Sequence, residues 1–332
     1  MLTRRQLLGA LLGASAAFAL PPTGRGPMLV DSVLADGPVG TLVVPRGRDL
    51  VLVQADGSGE RTLLTLEPGG FAADGAWSPD GGRIAFSRYA PPTTDDAGGA
   101  DLLVVSAQDG AGPPAVLVPR ERAGTLLAAP AWAPDGGGLA FETVGLTAVG
   151  GIVARVDWVM ADGSGRRTLA EGGRNPTISP DGSTLAYLKT ISNGDGLWTR
   201  PLGGGPERQV VAEYELLALA FPRFSPDGRS FAFAGVGDLG RSSRTAVERA
   251  TGYAALRASL HGIPWDLFGV DADGKNLRRL ALVGEDDGAV AWSPDGRWIA
   301  VAGGGGVHIF SPSDGAVRTV SLISSYGAID WR

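Results

Sequence analysis

Two histidines, His261 and His308, and no cysteine make up the supply of imidazole and thiol groups in this 332-residue chain. A multi-histidine metal site cannot be assembled from them, and a thiolate nucleophile is excluded. No G-x-S-x-G elbow occurs, so no serine is presented on a strand-to-helix corner. His261 would serve a serine triad only if a serine and a carboxylate folded beside it, and nothing in the spacing places them there. His308 falls within an apolar run, Val307-His-Ile-Phe310, and is expected to be structural. What remains is carboxylate chemistry, which needs two acids held close together in a cleft. No metal and no cofactor is expected.

The elements that must position any such acids are given by a repeated phrase. It reads Trp77-Ser-Pro-Asp80-Gly, Trp132-Ala-Pro-Asp135-Gly, Ile178-Ser-Pro-Asp181-Gly, Phe224-Ser-Pro-Asp227-Gly and Trp292-Ser-Pro-Asp295-Gly. Proline presets φ at one corner of a tight turn, and glycine takes the positive φ that follows. The recurrence of the aspartate argues for side-chain bonds that hold the corner rather than for calcium. Each turn leads into an alternating strand such as Arg83-Ile-Ala-Phe86, with Ala85, Ala140, Ala186, Ala232 and Ala300 between larger residues. That large–small pattern suits sheets stacked closely face to face. A second set of turns, at Asp56, Asp109, Asp162, Gly203, Asp273 and Asp314, closes further hairpins. One unit is therefore four strands, A to D, with tight A–B and C–D turns.

There are six C–D turns but five Pro-Asp-Gly turns, and the first C–D turn precedes them all. The end of the chain, Gly327-Ala-Ile-Asp-Trp331, aligns with the strand that leads into each turn. It is expected to supply strand A of a sixth unit whose other strands run from about Thr41 to Leu66. That overlap closes a ring and removes free sheet edges. The expectation is an all-β, six-bladed β-propeller over residues 41–332.

In this register the inner strands line a central channel. The channel positions are mostly alanine; Asp74, Asn175, Arg223 and Asp330 are the polar exceptions. They could bind a polar ligand or ion, or they could hydrogen-bond neighbouring blades and trapped water. The elaborated connections are B–C loops at 89–100, 143–152, 191–196 and 236–265, all on one face. The last is the longest, and 243–260 within it reads as a helix, with Thr245 and Glu248 as a capping box. It could be a lid or docking helix, or a rim decoration. Tyr89, Arg241, Tyr253, His261 and Trp265 are the binding candidates on this face. Gly235-Val-Gly-Asp-Leu-Gly240 matches a dinucleotide fingerprint, but its flanking strands are in the antiparallel repeat register, which excludes that use. Asp271-Ala-Asp273 begins like an EF-hand loop, yet the remaining ligands are missing.

The repeats resemble the propeller repeats of the periplasmic TolB family, over about residues 41–332. They are similar too to the propeller domains of prolyl-oligopeptidase-type proteases. The resemblance implies a scaffold for cell-envelope interactions, such as binding a peptidoglycan-associated lipoprotein. TolB carries an α/β domain before its propeller, whereas residues 20–40 here read as a Pro/Gly-rich linker.

The start, Thr3-Arg-Arg5-Gln-Leu-Leu8, resembles a twin-arginine export signal, with an apolar run to Leu20 and Ala17-Phe-Ala19 as a cleavage site. Residues 1–19 are read as that signal, the alternative being an uncleaved anchor. The apolar run is too short for an ordinary membrane span. Net charge is −6, with no basic stripe, so nucleic acid is not an expected partner. The expectation is an exported, monomeric, non-enzymatic propeller that binds a protein, peptide or envelope component through its loop-rich face. The alternative is a hydrolase or lyase that uses carboxylates at the channel mouth.

Overall fold

The Ser-Pro-Asp-Gly corner is a small closed hydrogen-bond system. Asp80 Oδ1 accepts from Ser78 Oγ at 2.6 Å and from the Gly82 amide at 3.0 Å. Ser78 Oγ in turn accepts from the Arg83 amide at 2.9 Å, while Gly81 turns at φ 65°. The same bonds recur at Ser179–Asp181, Ser225–Asp227 and Ser293–Asp295. Ala133 replaces the serine in the second copy, so the hydroxyl's bonds are missing there, while Asp135 Oδ1 still accepts from the Gly137 amide at 2.9 Å. The hydroxyl and amide donors hold the carboxyls of Asp80 and Asp227 below the ordinary aspartate range, and that of Asp181 at about 2.

These corners organise the described part of the computed structural model: residues 37–332 without 109–111, 147–150, 192–193, 214, 238–263, 287, 323–324 and 326. It is all strand, β1 to β24, in antiparallel ladders. One sheet holds β1 (Thr41–Arg46), β2 (Asp49–Gln54), β3 (Glu60–Thr65) and β24 (Asp330–Trp331). The next comprises β4 (Phe71–Trp77), β5 (Arg83–Ala90), β6 (Gly99–Ser106) and β7 (Ala115–Val118). It is joined, through a single parallel pair at Ala100 and Leu126, to β8 (Leu126–Trp132), β9 (Gly138–Leu146), β10 (Ile152–Met160) and β11 (Arg167–Glu171). Three more four-stranded sheets follow. The first is β12 (Gly173–Ile178), β13 (Thr184–Ile191), β14 (Gly194–Pro201) and β15 (Arg208–Val211). The second is β16 (Ala218–Phe224), β17 (Ser230–Val236), β18 (Trp265–Asp271) and β19 (Arg278–Glu285). The third is β20 (Ala289–Trp292), β21 (Ile299–Gly303), β22 (Gly306–Phe310) and β23 (Val317–Ser321).

The end of the chain pairs with its beginning: β24 runs antiparallel to β1, Trp331 opposite Leu42 and Asp330 opposite Val43. The innermost strands β4, β8, β12, β16, β20 and β24 each contact the next, and β24 returns to β4. This is the closure that the surplus C–D turn implied, and the architecture is that of a β-propeller. The expected helix at 243–260 lies outside the described residues.

The core is divided among the spaces between sheets. Val43, Leu50 and Leu52 pack against Ile84, Phe86 and Leu103 of the next sheet, all at 3% exposure or less. On β21, Ala300 faces one neighbouring sheet while Ile299 and Val301 face the other, so small and large residues do alternate between faces. Burying each of the large side chains contributes roughly 1.5–3 kcal/mol. The B–C loops are shorter than the sequence suggested, because the strands run further. Tyr89 belongs to β5, Thr143 to β9, and Trp265 opens β18.

Candidate functional site

Four inner strands share an irregularity where they line the ring. Asp74, Ala129, Asn175 and Phe221 have φ of 58°, 48°, 45° and 49°, and each sits at a register shift in its ladder. The residue that follows is Gly75, Pro130, Pro176 or Pro222. Proline has no N–H to pair, and glycine adds no Cβ, so both suit an interrupted ladder. At the equivalent point in β20 stands Val290, and that ladder is unbroken. A left-handed non-glycine residue costs about 1 kcal/mol or more, least for Asp and Asn.

The bulges leave backbone amides pointing towards neighbouring sheets, and the channel carboxylates and amides collect them. Asp74 Oδ1 accepts from the Ala328 amide at 2.7 Å, its Oδ2 from Ser87 Oγ at 3.3 Å, and the Ala129 backbone also hydrogen-bonds it. Gly327, at φ 96°, permits this approach: a Cβ there would stand 2.7 Å from Asp74 Oδ1. Asn175 Oδ1 accepts from the Phe221 amide at 3.3 Å, and its own amides donate to Glu142 at 3.0 and 3.1 Å. Asp330 accepts from the Trp77 amide at 2.8 Å and from the Trp331 amide at 2.9 Å. Three of the four channel candidates are thus staples between sheets.

The fourth, Arg223, is 9% exposed and reaches the Pro176 carbonyl at 3.5 Å, while its Nε has no hydrogen-bond partner. Burial pushes its guanidinium below the usual value, and Asp330 and Asp74 oppose that shift. Burial likewise raises Asp74 and Asp330 above the ordinary carboxylate range, against the amides that they accept from and the Arg223 charge. The channel therefore holds a desolvated cluster of two acids and one arginine. Among the described residues no group of three or more His, Asp or Glu side chains is arranged to hold a metal ion.

On the loop-rich face, Tyr89 is half-buried and packs on Phe71, ring centres 6.3 Å apart, with its hydroxyl pKa raised by burial. Trp265 is 3% exposed and belongs to the core between two sheets, so it is no surface contact. Arg241, Tyr253 and His261 lie outside the described residues. His308 is held between sheets: Nε2 lies 2.5 Å from Glu285 Oε1, and Nδ1 lies 2.9 Å from Thr319 Oγ1.

A set of acids at the heads of the C strands escaped the sequence reading. Asp49 accepts from Thr65 Oγ1 at 2.6 Å, and Asp101 from Arg88 and the Arg120 amide at 2.8 and 2.9 Å. Asp195, fully buried, pairs with Arg174, and Asp266 with Arg279 at 3.3 Å. Each ties strand C to another strand of its own sheet or to its flanking loop. The available signal was an aspartate before the apolar C strand, seven or eight residues ahead of the C–D turn.

No family model matches the chain. An uncharacterised protein of Agrobacterium fabrum strain C58 is 27% identical over 176 residues, which is 52% of this chain and half the length of that relative. Among solved structures, TolB from Acinetobacter baumannii superposes with a TM-score of 0.63 at 15% identity, covering 88% of this chain and 66% of that one. A nidogen/laminin complex gives 0.63 at 11% identity, covering 88% and 97%. The structure of a putative TolB from Agrobacterium tumefaciens gives 0.52 at 18%, covering 77% and 87%. At such identities the likeness speaks for architecture, and by architecture this chain is a TolB-like β-propeller.

Proposed function

We propose that the chain is an exported, six-bladed propeller that docks a protein or cell-envelope partner on its loop-rich face and performs no catalysis of its own. The single observation that carries this reading is the distribution of exposed apolar side chains. Of eight large exposed hydrophobic residues among the described ones, Phe71, Ile152, Val153, Leu282 and Leu322 lie towards the B–C and D–A face. Val39, Val116 and Met160 lie towards the opposite face. Scattered apolar rim residues, with Phe71 packed on the half-buried Tyr89, suit protein contact better than small-molecule chemistry. The blade count is supported by the closed circuit of six inner strands. Export is supported by the Arg4-Arg5 signal and the apolar run after it.

One observation favours the alternative: Asp74 and Asp330 are two acids with raised pKa in the channel, as a carboxylate-based hydrolase or lyase would need. Both, however, already accept backbone amides, which leaves them little freedom to exchange protons with a substrate. The test is capture from envelope extract, followed by binding measurements on the purified partner. Three proteins are compared: wild type, a deletion of residues 241–263, and a folded Phe71→Asp/Ile152→Asp variant. Loss of the partner in either variant is expected. Retention of wild-type affinity in both would sink the reading.

A further inference from the structure

The opposite face, which carries the tight turns, contains a notch between β12–β15 and β16–β19. It is a cleft of about 430 Å³ lined by Asp181, Thr184, Thr199, Arg208, Phe224 and Asp227, among others. Its frame is generated by the repeat: a turn aspartate from each of two successive sheets, the residue that opens strand B of the first, and the anchoring ring of strand A of the second. A sister notch of about 390 Å³ between β4–β7 and β8–β11 has the same frame, lined by Asp80, Asp135 and Arg83.

In the sister notch the position that opens strand B is Arg83, and its guanidinium lies over the Trp132 ring, 5.0 Å from the centroid. The chain thus shows what the frame accepts: a planar cation on an aromatic face, near the turn aspartate Asp80, whose carboxyl its charge helps to hold below the ordinary range. In two other frames the corresponding space is taken by indole. Gly138 makes room for Trp158, and Trp298 occupies the position itself, packed with Trp331. In the open notch the position is Thr184, too short to reach across to Phe224. Phe224 rests against Phe231, ring centres 4.2 Å apart, and is only half-buried. Arg208 is engaged with the Ala272 carbonyl at 2.6 Å, and among the described residues no cationic side chain lies over the Phe224 ring.

We propose that this notch binds a guanidinium group from outside the chain, stacked on Phe224 between Asp181 and Asp227, as Arg83 stacks on Trp132 within it. A guanidinium fits better than an ammonium, because its planar, weakly hydrated face can lie on a ring while its edges donate to carboxylates. The natural source is an arginine side chain of a peptide or a small free guanidine. The site lies on the face away from the proposed docking surface and stands independently of it.

The experiment titrates the protein with Nα-acetyl-L-arginine amide, agmatine and Nα-acetyl-L-lysine amide, by calorimetry and ligand-observed NMR. Saturable binding of at least one guanidine is expected, with lysine amide weaker. A preference for the arginine amide marks a peptide source, and a preference for agmatine a free guanidine. Thr184→Arg supplies the cation internally and is expected to weaken binding about tenfold or more, with an unchanged melting temperature. Arg83→Thr opens the sister notch and is expected to add a second binding equivalent. If Thr184→Arg does not fold, Phe224→Leu removes the ring at similar volume and is expected to weaken binding in the same sense. The proposal is overturned if neither guanidine binds saturably, or if the folded Thr184→Arg or Phe224→Leu protein binds as wild type does. It is equally overturned if Arg83→Thr adds no site.

Discussion

The Asp330 carboxylate accepts a hydrogen bond from the Trp77 backbone amide at 2.8 Å, joining positions 253 residues apart. Through it the short closing strand grips the next sheet as well as β1. Asp330→Ala leaves a part-buried amide without its partner and is expected to destabilise the fold by about 2 kcal/mol. Asp330→Asn keeps an acceptor oxygen and is expected to cost less. Urea unfolding of the three proteins checks the order; equal stability of all three would show that the closure does not depend on this bond.

Asp74 and Asp330 give the fold an unusual acid response. Burial raises their folded pKa above 3.8, the ordinary aspartate value, so the folded state binds their protons more tightly than the unfolded chain does. Their contribution to stability therefore grows as pH falls from the raised values to 3.8, and is lost as pH rises. The turn aspartates act in the opposite sense: their lowered pKa values remove stability only as pH falls below 3.8, towards about 2 for Asp181. Asp74→Asn is expected to be near-neutral or stabilising at pH 7 and to flatten the gain on mild acidification. Melting temperatures across the acid range measure this, and an unchanged profile in the variant would contradict it.

Ala133 is the one turn position in the five repeats that lacks the serine hydroxyl. Ala133→Ser restores the donor to Asp135 and the acceptor for the Gly138 amide that the other corners possess. A gain of about 1 kcal/mol is expected, read as a rise of a few degrees in melting temperature. A fall would mean that the buried Ala133 methyl, packed beside Ala140 and Ile178, tolerates no added atom.

Glu285 is 6% exposed and accepts from the Gly305 amide at 2.7 Å while holding His308. Glu285→Ala is expected to cost about 2 kcal/mol, since it leaves the Gly305 amide and the part-buried His308 imidazole without their partner. His308→Ala is expected to cost less. A double-mutant cycle should return a coupling of roughly 1 kcal/mol or more. Additive losses would show that the imidazole and carboxylate contribute separately.

Much of this was legible from residue types and spacing. The Pro-Asp-Gly corner is fixed by interactions within six residues, so its five copies, four of them with the serine, specify five hairpins locally. Ring closure was legible too, because an unmatched C–D turn at Asp56 and an unmatched strand ending at Trp331 can be reconciled only by pairing. The alternation of Ala85 with Ile84 and Phe86 likewise forecast which faces would meet closely.

The roles of the polar residues were decided only by the tertiary structure. Asp74 was placed at the channel by register, but its partner is the amide of Ala328, which the chain brings there only by closing the ring. Trp265 looked like a loop-face aromatic until β18 extended far enough to bury it. A turn is specified by neighbours along the chain, whereas a desolvated carboxylate is specified by whichever backbone group arrives from another sheet. The bulges at Asp74, Ala129, Asn175 and Phe221 lie between these limits. Their glycine and proline successors are written locally, yet the reason for interrupting the ladder is the contact made across the ring.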